Sequence, residues 1–116
     1  LLLTGVVVAS GWSAVVSLDI SDPRAPREVS RATFDPTDVP HWIAVSPDRR
    51  RVVVTGYETM QHRVHLLRFD PETGRLTRDL RFRDAADSVP GFRMDNRTWP
   101  HGGTAKGIPH GAVFSR

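Results

Sequence analysis

The segment Val39-Pro40-His41-Trp42-Ile43-Ala44-Val45-Ser46 recurs near the other end of the chain as Ile108-Pro109-His110-Gly111-Ala112-Val113-Phe114-Ser115. Each copy sets a histidine directly after a proline and directly before an apolar, β-branched run, so one strand-opening device is written twice. A chain that repeats such a device builds its core by stacking copies of one small unit. A second internal match points the same way. Residues 1–19 lie without a gap over residues 52–70, with Leu1-Leu2-Leu3-Thr4-Gly5 over Val52-Val53-Val54-Thr55-Gly56 and Val15-Val16-Ser17-Leu18-Asp19 over Leu66-Leu67-Arg68-Phe69-Asp70. A rival alignment sets Val6-Val7-Val8 over Val52-Val53-Val54; the gapless one is preferred here for its length.

Proline or glycine interrupts nearly every window that could hold a helix, and the apolar residues come in short β-branched runs, which reads as strand. Strands are expected over 1–3, extending as far as 8, and over 14–20, 27–34, 42–46, 51–55, 64–69 and 76–82. The connections carry turn chemistry: Ser21-Asp22-Pro23-Arg24-Ala25-Pro26, Pro47-Asp48-Arg49-Arg50 and Asp70-Pro71-Glu72-Thr73-Gly74. Four antiparallel strands in about 40 residues, repeated, is the pattern of a β-propeller blade. The expected fold is therefore all-β, with antiparallel four-stranded blades of an incomplete β-propeller. Residues 1–34 supply the last three strands of one blade, 42–82 a full blade, 83–107 an inserted loop and 108–116 the inner strand of the next. A closed propeller needs at least about four blades. The expectation is thus a C-terminal piece of a longer chain, completed by its remaining blades or by other copies.

Composition narrows the partners. Of the 16 basic residues only Lys106 is lysine, and they are interspersed with 13 acidic ones to leave a net charge of +3. Nucleic acid would call for a stripe of one sign, so it is not an expected partner. The single basic run, Arg49-Arg50-Arg51, falls in a turn. The absence of cysteine removes disulfides, thiolate zinc sites and cysteine nucleophiles. No apolar run approaches the roughly 18 residues that would span a bilayer. Residues 1–14 have a faint resemblance to a secretory signal, but they lack a basic leader and are accounted for as strand by the internal match. The compartment stays open between cytoplasm and export.

Ser17-Leu18-Asp19-Ile20-Ser21-Asp22-Pro23 resembles the turn of bacterial propeller repeats of the LVIVD type. Pro40-His41-Trp42-Ile43-Ala44-Val45-Ser46-Pro47-Asp48, together with Phe69-Asp70-Pro71-Glu72-Thr73-Gly74-Arg75-Leu76, is similar to the YVTN and lactonase-type seven-bladed repeats. Selenium-binding proteins, some of them copper-dependent methanethiol oxidases, are propellers with similar Asp-x-Ser-Asp-Pro turns. These resemblances imply a fold more than an activity. No family catalytic residue carries over to a position of this chain.

His41, His101 and His110 each follow a proline. Imidazole is a common neutral metal ligand and changes charge near neutral pH, so three of them meeting at a channel mouth could hold a copper or zinc ion. The plainer reading has each imidazole capping backbone beside Trp42 or Trp99. His62 and His65 read as ordinary surface or turn residues. The inserted loop carries Phe92, Met94 and Trp99, which should fold back on the body or form a lid, and Asp84, Asp87, Asp95 and Arg93, which could orient a substrate. The candidate ligand-binding set is His41, Trp42, Arg93, Trp99, His101 and His110, with His41, His101 and His110 as the candidate metal ligands. Gly102-Gly103-Thr104-Ala105-Lys106-Gly107 lacks the order of a phosphate loop, and Gly11-Trp12-Ser13-Ala14-Val15 lacks the second glycine of a nucleophile elbow. The leading expectation is a binding or scaffold module whose channel face takes a small molecule, metal or protein. The alternatives are a metal-dependent oxidase or lactonase-like enzyme using the three histidines, and a carbohydrate-binding protein presenting Trp12, Tyr57 and Trp99.

Overall fold

The computed structural model describes residues 6–11, 13–56, 62–85, 87–95 and 97–116, and among them every regular element is a strand. The strand expected over 1–3 lies outside the described residues, as do Trp12 and Tyr57. Strands β1 (Val6–Gly11), β2 (Ala14–Asp19) and β3 (Arg27–Thr33) form a three-stranded antiparallel meander. β1 and β2 pair from Val6 with Asp19 to Gly11 with Ala14, and Ser13, just before Ala14, takes a left-handed φ of 59°. In the β2–β3 connection the Asp19 carboxylate accepts from the Ser21 amide and hydroxyl, and Asp22 accepts from the Arg24 amide. Aspartate thus closes this turn through its own side chain, as the sequence leads one to expect.

The second sheet runs β4 (Trp42–Val45), β5 (Arg51–Thr55), β6 (Arg63–Phe69) and β7 (Leu76–Arg78), all antiparallel. Its β4–β5 turn is organised by Ser46, whose buried hydroxyl donates to Asp48 at 2.5 Å and accepts from the Arg51 amide at 2.9 Å. The two sheets share one core. Val15, Ala32 and Phe34 from the first side pack with Val52, Val54, Leu67, Phe69 and Leu76 from the second, and Ile43 packs against them. Polar contacts knit the same seam: the Ser17 hydroxyl donates to Gly74 O at 2.5 Å, and the Leu76 amide donates to the Ser30 hydroxyl at 3.0 Å. No sheet of the described residues closes on itself.

Three details differ from expectation. The strand expected over 76–82 stops at Arg78, because the Asp79 carboxylate accepts from the Arg81 amide and the Asp79 carbonyl from the Phe82 amide, which turns the backbone out of the ladder. The rest of the β6 edge is taken by β8 (Phe92–Arg93), so the insertion adds a strand to the sheet, and it also forms a hairpin of β9 (Arg97–Thr98) and β10 (Thr104–Ala105). Phe92 does fold back, packing edge-on to Phe82 at 4.8 Å. Residues 106–116 carry no ladder, and 110–115 form no strand here, the His110 and Ala112 carbonyls accepting instead from the Thr55 hydroxyl and the Trp42 indole. The strand positions divide the two internal alignments: β1 and β5 fit the rival one, β1 holding Val6-Val7-Val8 and β5 holding Val52-Val53-Val54. The gapless match holds for the next pair of strands, Val15-Val16-Ser17-Leu18 of β2 lying over Leu66-Leu67-Arg68-Phe69 of β6, while its first five residues lie outside the described ones.

Candidate functional site

The prolines set up one corner of the second sheet. Pro40 delivers the chain into β4, and the His41 amide donates to Thr55 O at 2.8 Å, extending the ladder one residue past Trp42. The C-terminal segment is then carried onto the same corner. The Thr55 hydroxyl donates to His110 O at 2.9 Å and the Trp42 indole N–H donates to Ala112 O at 3.0 Å. Gly111 lies flat on the indole, since a Cβ there would stand 3.3 Å from Trp42 Cδ2. The two repeated Pro-His corners therefore meet: His41 Nε2 and His110 Nε2 are 3.1 Å apart, with ring centroids at 5.0 Å and planes at 37°. Both imidazoles are exposed, as is Trp42. Two ring nitrogens at that distance hold one proton between them, or turn two lone pairs toward a common electrophile.

The other candidates lie elsewhere. Trp99 and His101 sit on the β9–β10 turn, where the Trp99 amide donates to Gly103 O at 2.8 Å and the Gly102 amide to Trp99 O at 2.9 Å. His101 is exposed at its tip. The structure does not bring His101 to the His41–His110 pair: among the described residues no group of three or more histidine, aspartate or glutamate side chains could hold one ion. The His101 ring instead lies by its own hairpin, where a Cβ on Gly103 would stand 3.0 Å from its Nε2, so the three-imidazole set reduces to two. Arg93 lines a separate open depression of about 830 Å³, built from three Arg–Asp pairs: Arg63–Asp87 at 2.6 Å, Arg93–Asp95 at 2.9 Å and Arg97–Asp84 at 2.5 Å.

Acid sensitivity of the inserted segment is expected from these pairs. The Arg93 hydrogen bond holds Asp95 below the ordinary aspartate value of 3.8, and the Val89 amide, followed by Arg63, does so for Asp87. At Asp84 burial favours the neutral acid but is outweighed by Arg97 and the Arg93 amide, so its value also falls. A carboxyl whose folded value is depressed contributes stability above its unfolded value and loses it as pH falls through the folded one. The Arg93 amide, which donates to Asp84 at 2.9 Å, should therefore keep its protection from hydrogen exchange at pH 5 and lose it below 3.8. Exchange measured across that range checks it; loss already between pH 5 and 6 would contradict it.

Sequence reasoning missed a buried charged array. His65, expected at the surface, is 3% exposed in β6, where it shares the inward face with Arg63, Leu67 and Phe69. His62 is likewise buried. His65 Nε2 contacts the carboxylate of Asp38, itself 4% exposed in the connection between the sheets. Arg78 Nη2 stands 3.5 Å from His65 Nδ1, the Phe34 ring lies 4.7 Å from the imidazole, and the Arg78 guanidinium lies over Phe34 at 4.8 Å. Burial pushes the Arg78 pKa down, with Asp38 opposing it. With Arg78 on one nitrogen, the imidazole presents its Nε2–H to Asp38. The period-2 alternation of residues 63–69 carried this signal, hidden by the polar identity of Arg63 and His65.

A scan of family models gave no match, and neither curated proteins nor solved structures yielded a similar one.

Proposed function

We propose that this chain belongs to a propeller-type binding module that takes its ligand at the His41–Trp42–His110 corner, with the paired imidazoles holding a late first-row divalent metal ion. The observation that carries this reading is the 3.1 Å separation of the two Nε2 atoms. Metal–imidazole bonds of about 2.0–2.1 Å set neighbouring ligand nitrogens roughly 2.9–3.4 Å apart for angles between square and tetrahedral. The pair therefore fits two adjacent positions on one ion with little movement. Two protein ligands leave further positions for water or for a small anionic molecule, which is the arrangement of a binding or reactive site rather than of a closed structural one. Such an ion would polarise a bound oxygen or nitrogen donor, while Trp42 supplies an apolar wall beside it. The propeller part of the reading is supported by two sheets sharing a core with β3 beside β7, and by the meeting of the repeated corners.

Copper(II) titration of the full chain, followed by calorimetry and by quenching of tryptophan fluorescence, tests the reading. One ion per chain is expected, with His41→Ala and His110→Ala each weakening binding at least about tenfold and His101→Ala leaving it unchanged. Absence of binding, or equal loss in all three variants, would remove the metal reading.

A further inference from the structure

We propose that His65 is a positioning residue for the His41–His110 corner, acting through Asp38. The inference rests on the ligand site just described and adds to it a residue that does not touch the ligand.

Residues 34–41 join the two sheets and end on His41. The start of this connection is fixed by the Phe34 amide donating to Ser13 O at 2.9 Å and by the burial of the Phe34 ring. Its middle is a tight turn, in which Asp35 accepts from the Thr37 amide and hydroxyl and the Asp38 amide donates to Asp35 O at 2.8 Å. From there to His41 the connection has two side-chain anchors in the protein body, the buried Asp38 carboxylate and the buried Pro40 ring. Asp38 is three positions from His41, and Pro40 between them fixes one of the few torsions that separate them. Whatever holds the Asp38 carboxylate therefore fixes where the His41 ring starts.

His65 holds it, and His65 is itself held on every side. Arg78 reaches its other nitrogen, Phe34 covers a face, and Gly91 of the insertion comes so close that a Cβ there would lie 2.7 Å from Nδ1. In the β5–β6 ladder His65 pairs with Val54, the neighbour of Thr55. Thr55 is the residue that accepts the His41 amide and donates to His110 O. Two routes thus run from His65 to the corner, one through Asp38 to His41 and one along β5 to both histidines. Groups that hydrogen-bond a ligating imidazole directly typically govern its affinity by about 10- to 100-fold, and a tether on the backbone beside it acts in the same sense.

Full-length wild type, His65→Gln and the double variant Asp38→Leu with His65→Phe are compared by hydrogen exchange at the His41 amide and by copper(II) titration. Glutamine places an N–H donor near the Nε2 position, so His65→Gln should keep the His41 protection and an affinity within about threefold of wild type. The double variant replaces both partners by apolar groups, which leaves neither member of the pair buried without its partner while removing the tether, and exchange across the β5–β6 ladder reports whether the fold stands. It should keep protection in the β5–β6 ladder, lose it at His41, and bind copper(II) about 10- to 100-fold more weakly. Wild-type His41 protection in the double variant would overturn the positioning role. Absence of copper binding by wild type would instead defeat the ligand-site reading, leaving exchange at His41 to decide the role of His65.

Discussion

Replacing Asp38 by alanine should lower the stability of the chain by about 3 kcal/mol. The side chain is 4% exposed and its partner His65 is 3% exposed, so water does not take over the abandoned contact. Loss of the carboxylate leaves a buried imidazole N–H without its acceptor, a cost of about 1–3 kcal/mol. It also removes the anion that faces the half-buried Arg78, and an uncompensated buried charge costs about 3–5 kcal/mol. Because Arg78 is only half buried, solvent recovers most of that second cost, and the imidazole contribution dominates a total of about 3 kcal/mol. A melting temperature reduced by roughly 10 °C or more is the expected reading for a chain of this size. A change under about 2 °C would show that the array contributes little to folding.

Gly91→Ala should cost about 2–4 kcal/mol, and the matched change Gly102→Ala only about 1 kcal/mol. Both glycines sit at left-handed φ, +96° and +89°, where an L side chain is strained. Only Gly91 also lacks room: a Cβ would meet His65 Nδ1 at 2.7 Å, Cε1 at 2.8 Å and Val64 O at 3.1 Å, whereas Gly102 has nothing within 4 Å. The imidazole cannot yield, because Asp38, Phe34 and Arg78 hold it, so the overlap adds to the backbone strain. Chemical denaturation of the two variants separates the effects. Equal destabilisation would mean that φ alone governs both positions and that the ring is free to move.

The large β elements were legible because their physics is local. Val52 and Val54, and Leu67 and Phe69, alternate as half-buried strands do, and Asp19, Asp22, Ser46 and Asp70 close their turns with side chains a reader can recognise. What stayed hidden depended on distant neighbours. β8 is two residues long and is a strand only because β6 offers it an edge. β7 is cut short by one aspartate whose turn competes with the ladder. At the candidate site, the repeated Pro-His device pointed to His41 and His110, and the structure brings their rings together. It also pointed to His101, whose position is set by a hairpin that has no alternation to announce it. His65 and Asp38 were passed over because charged side chains are ordinarily placed at the surface, and only their mutual contact makes burial tolerable.

The convergence of the two repeated corners is most directly tested by nuclear Overhauser contacts between histidine ring protons in the uniformly folded chain. With ring centroids 5.0 Å apart, one strong His–His cross-peak is predicted between His41 and His110, absent from His110→Ala. A chain that shows the β5–β6 ladder intact but no contact between these two rings would contradict the account.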